Sequence, residues 1–151
     1  MVRWLKPNIE DNKVRTINTN EIRKLVCELF IKANYKLPKD IFEKIKGSRV
    51  VLLESNYDLF MLEAGSYPYD LKCRIKGECG HLCNDDAALV VKRLVENGTK
   101  EIILGHLSQE NNYPDLAFET TKLCLLGHGI KVGEDVLLSV AKRDGVVLSH
   151  E

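Results

Sequence analysis

Two short apolar runs constrain this chain more than any other feature. "RVVLLES" (49–55) and "EIILGHL" (101–107) have the length of β-strands and lack the polar alternation of a strand with one face in water. Between them lies "NDDAALVVKRLVENG" (84–98), a strong amphipathic helix pattern that begins at Asn84 as the predicted N-cap and stops at Gly98. Buried strands joined by a helix predict an α/β fold with a largely parallel sheet.

The rest of the C-terminal two-thirds fits this alternation. "DLFMLEAG" (58–65) predicts a short helix, whereas "SYPYDLKCRIKGECGHLC" (66–83) has no lasting period and predicts an extended loop. "PDLAFETTKLCLLGHG" (114–129) predicts a helix with Pro114 in its first turn and His128 at its end. "DVLLSVAKRDGVVLSH" (135–150) predicts a strand, an Asp-Gly turn and a short final strand.

The N-terminal third has a helical pattern instead. "TNEIRKLVCELFIKANYKLP" (19–38) carries an apolar stripe at i, i+3, i+4, i+7 spacing, with a capping box formed by Asn18 and Glu21. A second short helix is expected at about 39–46, with Ile41, Phe42 and Ile45 inward and Gly47 as its stop. We therefore divide the chain into an extension (1–13), a helical segment (14–47) and an α/β part (48–151).

Charge and cysteine content narrow the function classes. Residues 1–48 hold 11 Lys and Arg against 6 Asp and Glu, whereas residues 49–151 hold 11 against 16. The acidic part is thus not a nucleic-acid-binding surface by charge alone. No apolar run approaches the roughly 18 residues of a membrane span, and the N-terminus lacks the apolar core of a signal peptide, so we expect a cytoplasmic protein with no membrane partner. Five cysteines, an odd number, favour reduced thiols.

Polar side chains follow both buried strands. Glu54, Ser55 and Asn56 end the first strand, and a set of four follows the second: His106, Ser108, Asn111 and Asn112. Ligands of open α/β sheets bind beyond the carboxyl ends of the strands, so these groups are expected to share one rim. His81 lies just before a predicted helix N-terminus, where an anion is favoured. A phosphate-sized site with one carboxylate and two imidazoles follows.

Two other constellations remain open. Cys73, Cys79, His81 and Cys83 could form a zinc site, although C-x5-C-x-H-x-C lacks the paired C-x2-C spacing of structural zinc. Cys79 or Cys83 could act as a nucleophile with a histidine, although no oxyanion hole is identifiable.

Four segments together resemble a known family: "LLESNYDLFML", "YPYDLKCRI", "GHLCNDDAA" and "LGHLSQENNYPDLA". Over about residues 49–143 the chain resembles the C-terminal part of metallo-β-lactamase-fold hydrolases, namely a bacterial group of small exonucleases related to RNase J and tRNase Z. The resemblance implies half of an αββα sandwich with a small, mostly parallel sheet, preceded here by a short helical pair. The implied activity is metal-dependent hydrolysis of nucleic-acid phosphodiesters.

The resemblance also implies roles for individual residues. His106 would be a metal ligand, His81 would lie beside the scissile phosphate, and Glu54 would support His81. Residues on the phosphate or substrate side would be Ser108, Asn84, Asn111 and Asn112. The cofactor would be a divalent metal, zinc or manganese. Cys83 stands where the family pattern has serine.

The chain departs from the family in its metal ligands. The family takes most of them from an H-x-H-x-D-H motif, a further histidine and an aspartate, whereas this sequence has histidines only at 81, 106, 128 and 150. One imidazole cannot hold a dinuclear centre, so the expected function is a truncated or chimeric hydrolase fragment that is inactive alone. Whether it keeps a metal or has none stays open at this point. The alternatives are an interaction module that forms a homodimer, and a split hydrolase completed by another chain.

Residues 14–46 resemble a different family. "VRTINTNEIRKLVCELFIKANYKLPKDIFEKIK" is similar to the opening helices of the α part of class I, iron–sulfur-dependent fumarate and tartrate hydro-lyases. The resemblance brings no catalytic residue to this chain, and it implies that two unrelated enzymes are joined here.

Overall fold

The computed structural model describes residues 39–77 and 80–142. Their elements in chain order are α1 Lys39–Ile45, β1 Val50–Glu54, α2 Leu59–Ala64, α3 Tyr69–Lys76, α4 Asn84–Glu96, β2 Glu101–Gly105, α5 Pro114–Gly127 and β3 Leu137–Val140. The predicted α/β class with a small parallel sheet is confirmed. The helix predicted over 19–38, its capping box, the Asp-Gly turn and the final strand lie outside the described residues. None of the described helices is long and apolar enough to cross a bilayer.

The sheet has the order β1-β2-β3, and both pairings are parallel. Glu54 at the end of β1 is in register with Gly105 at the end of β2. The two expected strands are therefore neighbours, and their carboxyl ends meet at one edge. This register brings the residues that follow β1 and β2 together.

The core lies between one face of the sheet and the helices α1, α4 and α5. Alternate residues of the first two strands enter it, such as Val51 and Leu53 from β1 and Ile102 and Leu104 from β2. The helices contribute these buried side chains: Phe42, Ile45, Ala87, Val90, Val91, Leu94, Ala117 and Leu125. Burial of Phe42 and Ile45 agrees with the predicted inward face of α1, and Gly47 follows that helix with a φ of 76°.

The N-terminus of α4 differs from the prediction by one residue. The N-cap is Cys83, whose Sγ accepts a hydrogen bond from the backbone N–H of Asp86 at 3.5 Å. Asn84 is instead the first helical residue, and its buried side chain points to neighbouring loops. Sequence reasoning chose Asn84 because asparagine caps helices more often than cysteine. The helix ends as expected, with Gly98 at a φ of 99° immediately after its cap.

The prediction of an extended loop over 66–83 was wrong in part, because α3 lies within it. No residue of α3 is fully buried, and its apolar contact is limited to partly buried side chains such as Ile75, which packs against Tyr57, Leu62 and Cys83, so the helix has only a weak apolar pattern. Polar contacts also join it to α2: Lys72 Nζ donates to the carbonyl of Glu63 at 2.6 Å, and Lys76 pairs with the Glu63 carboxylate. These contacts hold α3 in place ahead of His81.

Candidate metal and phosphate site

Glu54 is the centre of the candidate site. It is the last residue of β1, and its side chain is completely buried. Oε1 lies 2.8 Å from Nδ1 of His81 and 2.5 Å from Nδ1 of His106, and Oε2 accepts the backbone N–H of Leu82 at 3.0 Å. A buried carboxylate has to be hydrogen-bonded or paired, and here every contact comes from the two histidine-bearing segments.

The two imidazoles lie side by side at the surface. Their centroids are 5.2 Å apart in an edge-to-face arrangement with an interplanar angle of 64°. The side chains of His81 and His106 are 37% and 33% exposed, so both rings are reachable from solvent while Glu54 is not. Because a carboxylate only accepts hydrogen bonds, Glu54 favours the proton on Nδ1 of each ring. Nε2 is then the ring atom that would bind a metal ion or a phosphate.

The hydrogen bond from Glu54 raises the pKa of His81 above its ordinary value. Desolvation of the half-buried ring and the nearby positive charge of Arg74 act in the opposite direction but do not cancel it. His81 thus holds its proton to a higher pH than a free histidine.

The site can fit a divalent metal. Glu54, His81 and His106 each offer a ligand atom, and these atoms all lie within 4.8 Å of one another. Two imidazoles and a carboxylate are donors that zinc and manganese accept. Sequence reasoning assigned only His106 as a ligand, and the structure brings two more donors beside it. Both Glu54 oxygens are already hydrogen-bonded, so the pattern matches a carboxylate that orients ligating histidines from behind.

The cysteine alternatives find no support in the described residues. Cys79 lies outside them, Cys73 is exposed, and the group that could hold a metal contains no cysteine. Burial raises the pKa of Cys83 to about 11, and its Sγ contacts Asp86. Cys83 is therefore a protonated capping thiol, which is a poor nucleophile at neutral pH.

A buried amide network lies behind the histidines. Ser55 Oγ donates to Asn84 Oδ1 at 2.6 Å, and the side chains of Asn84 and Asn112 hydrogen-bond to each other at 2.8 and 3.0 Å. Asn112 also donates to the Ser55 carbonyl at 2.8 Å. Both asparagines were expected on the substrate side, but they are 0% and 5% exposed and their amides contact protein groups. Their bonds join the loops that follow β1 and β2 to the start of α4.

Ser108 and Asn111 shape the loop after His106. Ser108 Oγ accepts from the backbone N–H of Asn111 at 3.2 Å, and the Asn111 carbonyl accepts from the N–H of Asp58 at 2.8 Å. Asn111 is 2% exposed, whereas Ser108 is only partly buried. Of the four residues expected on the substrate side, Ser108 is thus the one with a partly exposed side chain, and a substrate contact there stays a prediction.

Asn56 has a larger part in the site than sequence reasoning gave it. Its Nδ2 donates to the carbonyl of His106 at 2.6 Å, and its backbone contacts both Leu82 and Ser108. The sequence predicts that Asn56 lies on the rim but does not indicate these contacts. They form because the parallel register places the main chain of His106, Leu82 and Ser108 next to Asn56.

Part of the chain is similar to bacterial proteins named exodeoxyribonucleases. It is 43% identical over 90 residues to the exodeoxyribonuclease YycJ of Bacillus anthracis, which is 60% of this chain and 34% of that protein. It is 45% identical over 84 residues to the exodeoxyribonuclease WalJ of Streptococcus pneumoniae, which is 56% of this chain and 31% of that protein. No solved structure and no protein-family model matches.

The chain spans about a third of the length of the curated relatives it matches. The names of these relatives agree with the predicted nuclease resemblance. They give no support to the resemblance of residues 14–46 to hydro-lyases, which stays a prediction. The chain is therefore similar over part of its length to proteins named exodeoxyribonucleases.

Proposed function

We propose that this chain carries one wall of a metal-dependent nuclease site that acts on phosphodiester bonds of DNA. The observation that carries the proposal is the buried carboxylate of Glu54, which contacts Nδ1 of both His81 and His106 at the carboxyl edge of a parallel sheet. The partial similarity to proteins named exodeoxyribonucleases supports the substrate class. Residues 48–151 would then be the C-terminal half of a metallo-β-lactamase-like domain.

Each residue has a distinct role in this proposal. His106 presents Nε2 as a metal ligand, and His81 presents Nε2 to the scissile phosphate. Glu54 holds both rings through Nδ1 and so fixes which nitrogen faces the substrate. A bound zinc or manganese ion would supply Lewis-acid stabilisation of the charge that develops on the phosphate.

The centre needs ligands beyond those in this chain for full activity. The sequence has four histidines and no H-x-H pair, whereas a two-metal site takes several donors for each ion. We infer that the ancestral activity was complete hydrolysis, and that this chain alone binds at most one ion and is inactive or nearly so. A complementary chain would restore the missing ligands.

Metal binding tests the first half of the proposal. Titration of the purified full chain with Zn²⁺ and Mn²⁺ by calorimetry should show one site, which His106→Ala removes. His128→Ala is the matched control, because His128 is exposed at the end of α5 and its Nδ1 contacts the Cys124 carbonyl. Equal binding by the wild type, His106→Ala and His128→Ala would contradict the assignment.

Complementation tests the second half. A fragment of the Bacillus anthracis relative that lacks the matched region would be mixed with this chain and assayed on labelled single- and double-stranded DNA with Mn²⁺. Activity is expected only in the mixture, and His81→Ala should abolish it while His128→Ala should not. Strong activity of the isolated chain, or none from a mixture shown to associate, would refute the split-enzyme part.

Exposed apolar side chains on α5 favour a second candidate, an interaction module. Leu123 and Leu126 are 62% and 57% exposed and lie three residues apart on one helix face. Self-association through this face would give a molar mass that rises with concentration in light scattering, and Leu123→Glu with Leu126→Glu should abolish the rise. A monomer at all concentrations would exclude homodimer formation through α5.

A further inference from the structure

The backbone of His106 is unusual. Its φ is 56°, and among residues 39–77 and 80–142 no other residue except glycine has a positive φ. A side chain with a Cβ rarely adopts this left-handed conformation, and such residues cluster at functional sites where surrounding contacts hold them. Something in the structure must therefore compensate for the strain at His106.

Asn56 contacts the main chain of His106 and of the loop that follows it. Its Nδ2 donates to the main-chain carbonyl of His106 at 2.6 Å, so the peptide group that follows the strained residue has a fixed partner. The carbonyl of Asn56 accepts from the N–H of Ser108 at 2.7 Å, which anchors the same loop two residues later. Asn56 is 9% exposed, so these bonds are shielded from competing water.

The backbone of Asn56 also contacts the segment that carries His81. The backbone N–H of Asn56 donates to the carbonyl of Leu82 at 2.8 Å, next to His81. Asn56 lies two residues beyond Glu54. The segment 54–56 therefore supplies the carboxylate that contacts both imidazoles, and also the hydrogen bonds to the loops that carry His81 and His106.

We propose that Asn56 is a positioning residue whose side-chain amide holds His106 in the left-handed conformation that brings its Nδ1 onto Glu54. Relaxation of His106 to the ordinary helical or extended region would redirect its Cα–Cβ bond and carry the ring away from Glu54. The relevance of this to nucleic-acid hydrolysis rests on the proposed function, whereas the conformational claim does not.

The decisive experiment is NMR of the imidazole N–H groups in the full chain without metal. Wild type should show a hydrogen-bonded Nδ1–H signal for His106 and another for His81. Asn56→Ala and Asn56→Asp should lose the His106 signal and keep that of His81. Asn97→Ala is the matched control, because Asn97 Nδ2 also donates to a main-chain carbonyl, that of Arg93, at 2.8 Å but away from the site.

Retention of the His106 signal in both folded Asn56 variants would overturn the proposal. Equal loss of both ring signals would also overturn it, because the amide is assigned to His106 alone. If neither variant folds, hydrogen exchange in the wild type decides: an Nδ2 proton of Asn56 should exchange more slowly than those of the exposed Asn97, and equal rates would refute the bond.

A second readout separates this inference from the proposed function. Where the wild type binds Zn²⁺, Asn56→Ala should weaken binding about 10- to 100-fold, as loss of groups that support metal ligands usually does. Absence of Zn²⁺ binding and nuclease activity in every variant would count against the proposed function, while the NMR result would still decide the role of Asn56.

Discussion

Replacing Glu54 by glutamine keeps the size of the side chain but removes its charge and one acceptor oxygen. In the structure the carboxylate receives the backbone N–H of Leu82 and contacts Nδ1 of His81 and of His106. The amide oxygen of glutamine can still accept from Leu82, but its NH₂ group then faces both rings. The rings can meet that donor only by moving their own protons from Nδ1 to Nε2.

The magnitude follows from the change in hydrogen-bond type. A hydrogen bond to a charged group contributes about 1.5–3 kcal/mol and a neutral one about 0.5–1.5 kcal/mol. Exchanging three of the first kind for three of the second should lower the free energy of unfolding by about 3–4 kcal/mol, or the melting temperature by roughly 6–16 °C. Urea unfolding followed by circular dichroism measures the free energy, and ¹⁵N NMR of the rings reports the tautomer.

The stability difference between wild type and Glu54→Gln should depend on pH. Glu54 raises the pKa of His81, so the stabilisation from protonated His81 is fully present below the ordinary value of about 6.5 and is lost as pH rises through the raised folded value. The difference between wild type and Glu54→Gln should therefore be larger at about pH 6 than at about pH 9.

Glu119→Gln is the matched control, because Glu119 is exposed on α5 and its carboxylate pairs with the neighbouring Lys122. It should change the free energy of unfolding by less than about 0.5 kcal/mol. The reasoning is refuted if Glu54→Gln is as stable as this control and the rings keep Nδ1 protonated.

Three further predictions concern single residues. In the metal-free protein, the NMR titration of His81 should have its midpoint above about 6.5, and a lower midpoint would contradict the effect of its carboxylate partner. Cys83, with a pKa of about 11, should hold roughly a hundredfold less thiolate than an ordinary cysteine and react with iodoacetamide far more slowly than the exposed Cys73, as peptide mass spectrometry can measure. Gly80→Ala would place Cβ 2.0 Å from the carbonyl oxygen of Ile75 in α3, and should lower the free energy of unfolding by about 1–3 kcal/mol. In Gly127→Ala the new Cβ meets nothing within 4 Å, so equal melting temperatures of the two variants would refute the steric argument.

Strand and helix patterns were enough to predict the parallel sheet and the edge where the site lies. Two buried strands joined by an amphipathic helix can form only a few sheet topologies, and the commonest makes them parallel neighbours. In that arrangement Glu54 and His106 lie close together at the carboxyl ends of the strands, as the structure has them. Helix α3 could not be predicted in the same way, because none of its residues is fully buried and its contacts, those of Ile75 with the core and of Lys72 and Lys76 with Glu63, are tertiary.

The finer details of the site depend on tertiary contacts that no local pattern encodes. Asn84 reads as a helix cap in sequence, yet it forms part of a buried amide network with Ser55 and Asn112, while Cys83 takes the capping position. The left-handed conformation of His106 likewise could not be predicted, because only a few per cent of residues other than glycine adopt it and no local pattern around His106 demands it.

The distance along the chain between the members of the candidate site has a kinetic consequence. His81 is 27 residues from Glu54 and His106 is 52, so no local segment can form the three-residue group by itself. When strands so far apart in sequence pair, the chain loses the entropy of closing a large loop before any contact between the strands stabilises it. Their pairing is therefore slow compared with helix formation. During refolding, α4 and α5 should therefore gain their circular dichroism signal before the imidazoles reach the carboxylate, and the chain would acquire any metal only in the last step.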